Sequence, residues 1–348
     1  MTIRSSPLAF LLPALCLALV ATAGCSTPPH VDLPDWSGRA SPSPRGEYPN
    51  WPGDPHSIES LFEEGYSLEA AKGTATGTSG AMKVKIAFDR GLEGKPEVVR
   101  FKWKATLPWL DGINNAPRKE AAAWLIQQLF LDPEDYVVPA SFFRCVPLEI
   151  IRKLNPKVKS NISKGECALG LFSVWLLDVK LPEQLYEPER FASDYDYAYY
   201  MANFNLLTYL IAHHDGREGN FMVPSDASRR QVFAIDNGVA FGGIFYNWFV
   251  PNWNNIRVPA LRRDSIDRLR KLREEDLHAL LGVVAQLERD EAGIYQSVEP
   301  GPNLEPGNGA HRTDKVLQFG LDDGEIEDVW ERIEDLIEDV DEGKFQLF

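Results

Sequence analysis

The feature that most constrains this chain is a change of pattern at Pro182. Before it, apolar residues alternate with polar ones as β-strands require. Lys83-Val84-Lys85-Ile86-Ala87-Phe88 has clean period-two alternation, and Val98 to Lys104 repeats it. A shorter strand fits residues 66–72. Tyr136 to Cys145 and Leu169 to Val179 read as two more, the second almost continuously apolar, as a buried strand is. One helix interrupts them: Pro117 suits a first helical position, and Ala121, Leu125 and Leu129 share a side of Arg118–Phe130. Beyond Pro182, 192–212, 264–294 and 325–341 read as helices, with short strands at 220–223 and 231–235 and a Gly/Pro loop at 297–310. The last helix puts Ile326, Val329, Trp330, Ile333, Leu336, Ile337 and Val340 on one face and its acids outward. The order predicts an α+β fold of two lobes, a small β-rich one with one helix (57–180) and a larger helical one (181–348), with a cleft between them.

The first 56 residues stand apart. Arg4 precedes the apolar run Leu8 to Val20, then Ala21-Thr22-Ala23-Gly24-Cys25. A basic start, a short apolar stretch interrupted by Pro13 and small residues form an export signal, too short for a membrane-spanning helix. Small residues running into a cysteine resemble a bacterial lipoprotein signal, which implies removal of residues 1–24 and lipid on Cys25. The plainer alternative is a signal cleaved nearby, with an incidental cysteine. Either way the protein is expected outside the cytoplasm. As a lipoprotein it would be held on a membrane, facing periplasm or cell surface. Residues 25–56 carry Pro28, Pro29, Pro34, Pro42, Pro44, Pro49, Pro52 and Pro55 among Ser and Gly, and read as an extended tether. With Cys16 in the signal and Cys25 lipidated, Cys145 and Cys167 remain, in a compartment that permits disulfides. A bridge would close a loop of about 20 residues and contribute roughly 3 kcal/mol; two buried thiols are the alternative.

The formal net charge is −15. That argues against nucleic acid as a main partner, because phosphate backbones need clustered Lys and Arg. It leaves open a small anion in one cleft, which answers to the local field.

Chemistry concentrates in His213-His214-Asp215-Gly216-Arg217-Glu218-Gly219-Asn220 and, after a short strand, Asp236-Asn237-Gly238. A carboxylate, an amide five residues on and a second carboxylate are the groups phosphoryl transfer uses: one orients the attacking hydroxyl, and the others hold metal ions by hard oxygen ligands. The Asp-to-Asn spacing equals that of a kinase catalytic loop. Singly, each piece has a plainer reading. Asp, Gly and Asn favour turns, and Asn-Gly is a hairpin signal. His213-His214-Asp215 is a poor metal triad, since adjacent residues rarely face one ion.

Together the pieces resemble the atypical branch of the protein-kinase-like superfamily. His214–Asn220 is similar to the catalytic loop of phosphoinositide kinases and HipA-type bacterial kinases. Ala234-Ile235-Asp236-Asn237-Gly238-Val239-Ala240-Phe241-Gly242 resembles the metal-binding segment of secretory-pathway kinases related to Golgi casein kinase. Arg118–Leu125 followed by Val138-Pro139 resembles the helix of these families that carries a functional Glu. The resemblance spans roughly 66–285. It implies that Asp215 is the catalytic base, that Asn220 and Asp236 bind Mg²⁺ or Mn²⁺, and that Glu120 pairs with a strand lysine on the nucleotide phosphates. Lys102 and Lys104 share a sheet face and both qualify; Lys102 is preferred, as it follows Val-x-Phe. Gly73, Gly77 and Gly80 would form the loop over the phosphates, although G-x-x-x-G-x-x-G is not the kinase spacing and a hairpin is the plainer reading. The loop has Asp-Gly-Arg where relatives have Asp-Arg-His, which shifts the basic neighbour to Arg217. Trp109, Trp248 and Trp253 suggest core packing or an aromatic surface.

The expected activity is transfer of the terminal phosphate of ATP or another nucleoside triphosphate to a hydroxyl of a protein or glycan. ATP is scarce outside a bacterial cytoplasm, so a catalytically inactive pseudokinase that acts as a binding or scaffold module is the alternative. Nucleotidyl transfer by the same fold is a third.

Overall fold

The computed structural model describes residues 32–73, 81–92, 97–106, 116–242 and 253–348. Cys25, Gly77, Gly80, Trp109 and Trp248 lie outside them. The fold is α+β. Its first sheet is made of β1 (Tyr66–Gly73), β2 (Met82–Phe88), β3 (Glu97–Ala105), β4 (Ser141–Pro147) and β5 (Cys167–Val174), with helix α1 (Pro117–Ile126) between β3 and β4. The strand order is β1-β2-β3-β5-β4, with every pair antiparallel. All eight residues of β5 are buried, as its continuous apolar sequence requires.

The sheet is covered on both faces. On one, Phe62 stands among Phe88, Phe101, Phe142 and Phe172, with ring centroids 5.0–5.6 Å apart. Most of these contacts are edge-to-face, the geometry the ring quadrupoles favour. The other face carries Lys102, Lys104 and Ser173 under α1 and, further along, Phe143, Cys145, Leu169 and Leu171.

A short helix α2 (Leu148–Ile151) follows β4. After β5 come β6 (Val179–Lys180), α3 (Pro188–Phe191) and α4 (Tyr195–Leu210), then β7 (Phe221–Pro224) and β8 (Phe233–Ala234), which form a small sheet with β6. Asp194 caps α4 by accepting the Tyr197 N–H at 3.1 Å, and almost all of α4 is buried. The chain continues through β9 (Ala260–Leu261), α5 (Arg263–Leu269) and α6 (Glu274–Leu281).

Here the sequence expectation fails. Helix does not run through 264–294, and the remainder is not a purely helical unit. After Gly282 the chain forms a second antiparallel sheet from β10 (Ala285–Arg289), β11 (Tyr295–Val298), β12 (Ala310–Arg312) and β13 (Val316–Phe319). The sheet returns to the first one: Leu287, Tyr295, Leu317 and Phe319 bury against Phe143, Cys145, Leu169 and Leu171, and Phe319 stacks on Phe143 at 4.3 Å. The turn back depends on Gly320, where a Cβ would overlap the Gly282 carbonyl. A boundary at 180 therefore does not separate two independent cores.

The Cys145–Cys167 disulfide forms at this junction, with Cα atoms 5.4 Å apart, and Cys167 Sγ accepts the Tyr295 N–H at 3.5 Å. The acidic helix α7 (Asp323–Asp341) buries Ile326, Val329, Ile333, Leu336 and Val340, while Trp330 and Ile337 are only half-buried. β14 (Gln346–Leu347) pairs parallel with β9. Among the described residues no helix is long and apolar enough to cross a membrane.

The Pro-rich segment is irregular, as expected, but from residue 36 onward it is not a free tether. Trp36 packs on Phe191, Tyr195 and Phe348. Ser43 Oγ lies 2.7 Å from Asp135 and 2.6 Å from the Tyr200 hydroxyl, all buried. Asn50 clasps Leu177 in both directions: its carbonyl accepts the Leu177 N–H at 2.9 Å, and its Nδ2 donates to the Leu177 carbonyl at 2.8 Å. Trp51 is wedged between Trp124 of α1 and Phe233 of β8. The path is a succession of turns, closed by bonds such as the Glu47 N–H to the Pro44 carbonyl at 3.2 Å and the Trp51 N–H to that of Tyr48 at 2.9 Å, and two tryptophans supply the apolar area that holds it down. Trp51→Ala is expected to lower stability by about 3–5 kcal/mol, read as a fall in the urea midpoint at unchanged slope. A loss below about 0.5 kcal/mol is what a free tether gives.

Candidate active site

The two lysines of β3 lie on one face of the sheet, and α1 crosses it. Glu120, in the first turn of α1, meets Lys104, not Lys102. The expectation that favoured Lys102 as the partner of Glu120 is therefore corrected. Both lysines face the right way, and the position of the helix over the sheet selects the second. Lys104 and Glu120 are almost fully buried, and Ser173 Oγ on β5 reaches the other Glu120 oxygen at 3.4 Å. The same Lys104 ammonium donates to Asp236 Oδ1 at 2.5 Å, while Lys102 Nζ lies 3.3 Å from Oδ2.

Burial opposes the charges on Lys104 and Asp236, but each is overruled by its partners. Glu120 and Asp236 hold the Lys104 ammonium well above the ordinary lysine range. Lys104 and Lys102 hold the Asp236 carboxyl well below the ordinary carboxylate range. Asp236 reaches this place through a left-handed backbone conformation, φ +64°, which Asp tolerates better than most residues. The turn after it is pinned to α1, where the Ala116 N–H donates to the Gly238 carbonyl at 3.1 Å and Lys119 Nζ to the Phe241 carbonyl at 3.1 Å. Asn237 is buried, and its Oδ1 has no hydrogen-bond partner among the described residues.

The second group comes from the end of α4. The helix stops with Ala212 at φ +45°, the His213 N–H bonded back to the Thr208 carbonyl and the Ala212 N–H to that of Tyr209. This is a Schellman ending without its usual glycine. It turns the chain at His213 and starts the polar loop. Asp215 is buried, and both its carboxylate oxygens are taken by Arg217, with Nε 2.6 Å from Oδ1. Asn220 Nδ2 donates to the Asp215 carbonyl at 3.0 Å, which leaves Oδ1 as the acceptor end of the amide. The Ile235 N–H donates to the Asn220 carbonyl at 2.8 Å, so the pairing of β7 with β8 sets Asn220 beside the residue preceding Asp236. Hydrogen bonding to the Asp215 carboxylate is the main reason the Arg217 guanidinium sits above its ordinary value, and Asp236 adds to it.

Lys102, Ser141, Ser173, Trp175, Met222 and Asp236 line part of a cavity of about 290 Å³. The Trp175–Asp178 linker forms one wall. Gly73 ends β1 opposite Met82 and is not among the described residues that line this cavity. Among the described residues no three His, Cys, Asp or Glu side chains are placed to hold a metal ion. Asn220 and Asp236 are oxygen donors of the type a hard divalent ion takes, and Asp236 is 37% exposed. Ser141, Ser173 and the Asn50 clasp on the linker were not anticipated. The serines sit inside strands that read only as core, and nothing local marks Asn50. Trp253 is buried against Phe204, Phe221 and Tyr186, which makes it core.

Two variants test the electrostatics. Lys104→Met leaves Glu120 buried without its partner and is expected to cost about 3–5 kcal/mol. Adding Glu120→Gln should recover part of that loss in a denaturant titration. His213 is fully buried, and burial pushes its ring down to about 4. Its neutral form is therefore favoured by folding. The resulting stability, roughly 3 kcal/mol, is complete above about pH 6.5 and is lost as pH falls toward 4. His213→Phe should flatten the stability profile across that window; an unchanged slope would assign it to other groups. No protein-family model and no curated protein matches the chain.

Proposed function

We propose that this chain is a phosphotransferase of the protein-kinase-like type, which moves the terminal phosphate of a nucleoside triphosphate to a hydroxyl of a protein or glycan. The observation that carries the reading is the Lys104–Glu120 pair meeting Asp236 at the edge of a cavity, with Asp215 and Asn220 supplied by the adjoining loop. In this reading β1–β5 with α1 form the smaller lobe. The elements around α4 form the larger, and the Trp175–Asp178 linker joins them beside the nucleoside. The second sheet is then an addition that closes back on the smaller lobe.

The chain's own groups have distinct tasks. Glu120 fixes Lys104, whose ammonium would bind the nucleotide phosphates once they displace its contact with Asp236. Asn220 and Asp236 would hold a Mg²⁺ or Mn²⁺ ion, which when bound neutralises charge on the transferred phosphate. Asp215 would accept the proton as the acceptor oxygen attacks the terminal phosphorus. The bond from that phosphorus to the bridging oxygen breaks, and a nucleoside diphosphate leaves. For this the hydroxyl must displace one Arg217 contact on Asp215. Arg217 is exposed and two residues along the loop, so its guanidinium can turn toward phosphate without unfolding anything.

A second reading, a pseudokinase that acts as a binding or scaffold module, is favoured by one observation. Every carboxylate of the site is already matched by a cation of the same chain: Asp215 by Arg217, Asp236 by both lysines and Glu120 by Lys104.

Thermal melting with ATP and Mn²⁺ separates the readings. A nucleotide at 100 times its Kd stabilises by about 2.7 kcal/mol, a rise of several degrees; no shift at millimolar nucleotide would overturn nucleotide binding. In the active protein, Asp215→Ala and Asp236→Ala should each abolish transfer of labelled terminal phosphate to the protein or to an acceptor mixture, while each variant still melts cooperatively, Asp236→Ala at a lower temperature because Lys104 loses a partner. Transfer surviving in both variants would sink the proposal. Mass spectrometry of a modified target distinguishes added phosphate from added nucleotidyl.

A further inference from the structure

A second cavity, of about 690 Å³, shares no lining residue with the first. It forms where residues 36–45 of the N-terminal segment cross the 132–135 turn and the start of α5. Five arginines line it: Arg39, Arg45, Arg262, Arg263 and Arg268. That is a dense set of cations for a chain of net charge −15.

Their partners divide them. Arg262 is buried, stacks 3.9 Å over Tyr199 and reaches Asp135 at 3.3 Å and Asn203 at 3.2 Å. Arg268 pairs with Asp132 at 2.7 Å. Two further carboxylates, Glu134 and Asp264, line the cavity and are not closely paired with a described cation. Glu134 accepts the Gly46 N–H at 2.6 Å, and Asp264, largely exposed, lies 3.9 Å from Arg262. Arg39, Arg45 and Arg263 make no ion pair with any described carboxylate. Arg39 lies over the Tyr195 ring at 4.9 Å; the Arg263 guanidinium donates only to the Leu347 carbonyl, at 3.4 Å, and its backbone N–H donates to the Phe348 carbonyl at 2.8 Å. Three exposed guanidinium groups outside any ion pair thus border one concave space, lined in all by five arginines and four carboxylates, whose wall is set by the buried Arg262–Asp135 pair.

Like charges that face one another across a concave surface repel, and an entering anion reverses the sign of that interaction. Guanidinium forks match phosphate geometry better than ammonium groups do. We propose that this cavity is a binding site for a phosphate-bearing anion, either a free phosphate compound or the headgroup of an anionic phospholipid, with Arg39, Arg45 and Arg263 as its binding residues. It is independent of the nucleotide reading.

The test uses the full chain in EDTA, which disables metal-dependent binding elsewhere. The probes are inorganic pyrophosphate and monomeric dihexanoyl-phosphatidylglycerol, with the zwitterionic dihexanoyl-phosphatidylcholine as control, followed by calorimetry. We expect saturable, salt-sensitive binding that weakens by roughly tenfold or more in Arg39→Ala/Arg45→Ala/Arg263→Ala. Any ATP- and Mn²⁺-dependent melting shift should be unchanged in that variant. Binding of pyrophosphate assigns the site to the phosphate group itself; binding of phosphatidylglycerol alone assigns it to a lipid headgroup. Both support the proposal. Binding of neither probe, or equal binding by the triple variant, overturns it. Should that variant melt much lower, Arg45→Glu alone serves: several-fold weaker binding supports the site, and unchanged binding counts against it.

Discussion

One ammonium group, Lys104 Nζ, ties together three parts of the chain that are far apart in sequence. It sits on the central strand β3, takes Glu120 from the helix across the sheet and Asp236 from the turn after β8. Burying a cation is costly unless its partners are fixed, and here both are. Glu120 is held by Ser173, and the Asp236 turn by the Ala116 N–H and by Lys119. Lys119 and Arg118 in turn grip Glu325, which also completes the capping box of α7. The chain of contacts thus runs from the first sheet through α1 to the last helix.

That connectivity explains what was legible in the sequence. The strands of the first sheet and the start of α1 are written in period-two alternation and in Pro117, both local signals. Asp215, Asn220 and Asp236 are legible by spacing, and the structure brings their segments together through the pairing of β7 with β8. The choice between Lys102 and Lys104 was not legible. Two residues on one face of a strand are equivalent by periodicity, and only the seating of the helix distinguishes them. The second sheet was misread because Leu, Glu, Gln and Arg in 285–289 suit a helix as well as a strand. Its strand character comes from packing on Phe143 and Leu171, a tertiary effect. The Pro-rich segment failed for a related reason: composition reports backbone preference, whereas Trp36 and Trp51 decide whether the path is docked.

The site is electrostatically complete without a ligand. Two lysines, an arginine and three carboxylates satisfy one another within it. A ligand that brings phosphate competes with carboxylates for the same cations, so its net gain is a difference between two sets of strong contacts. This is why the active and the inactive readings share one geometry and differ in which set is stronger.

The docked N-terminal segment also fixes a length. Were Cys25 lipidated, ten residues, and so eleven steps of the backbone, would separate it from Trp36, the first tryptophan anchored on the body. At about 3.3–3.6 Å per residue, that leash is at most roughly 40 Å long. A loose tether ending at residue 56 would reach nearly three times as far. The body would then stay within about that distance of the bilayer, and whatever it meets would be confined to the layer just above the lipid.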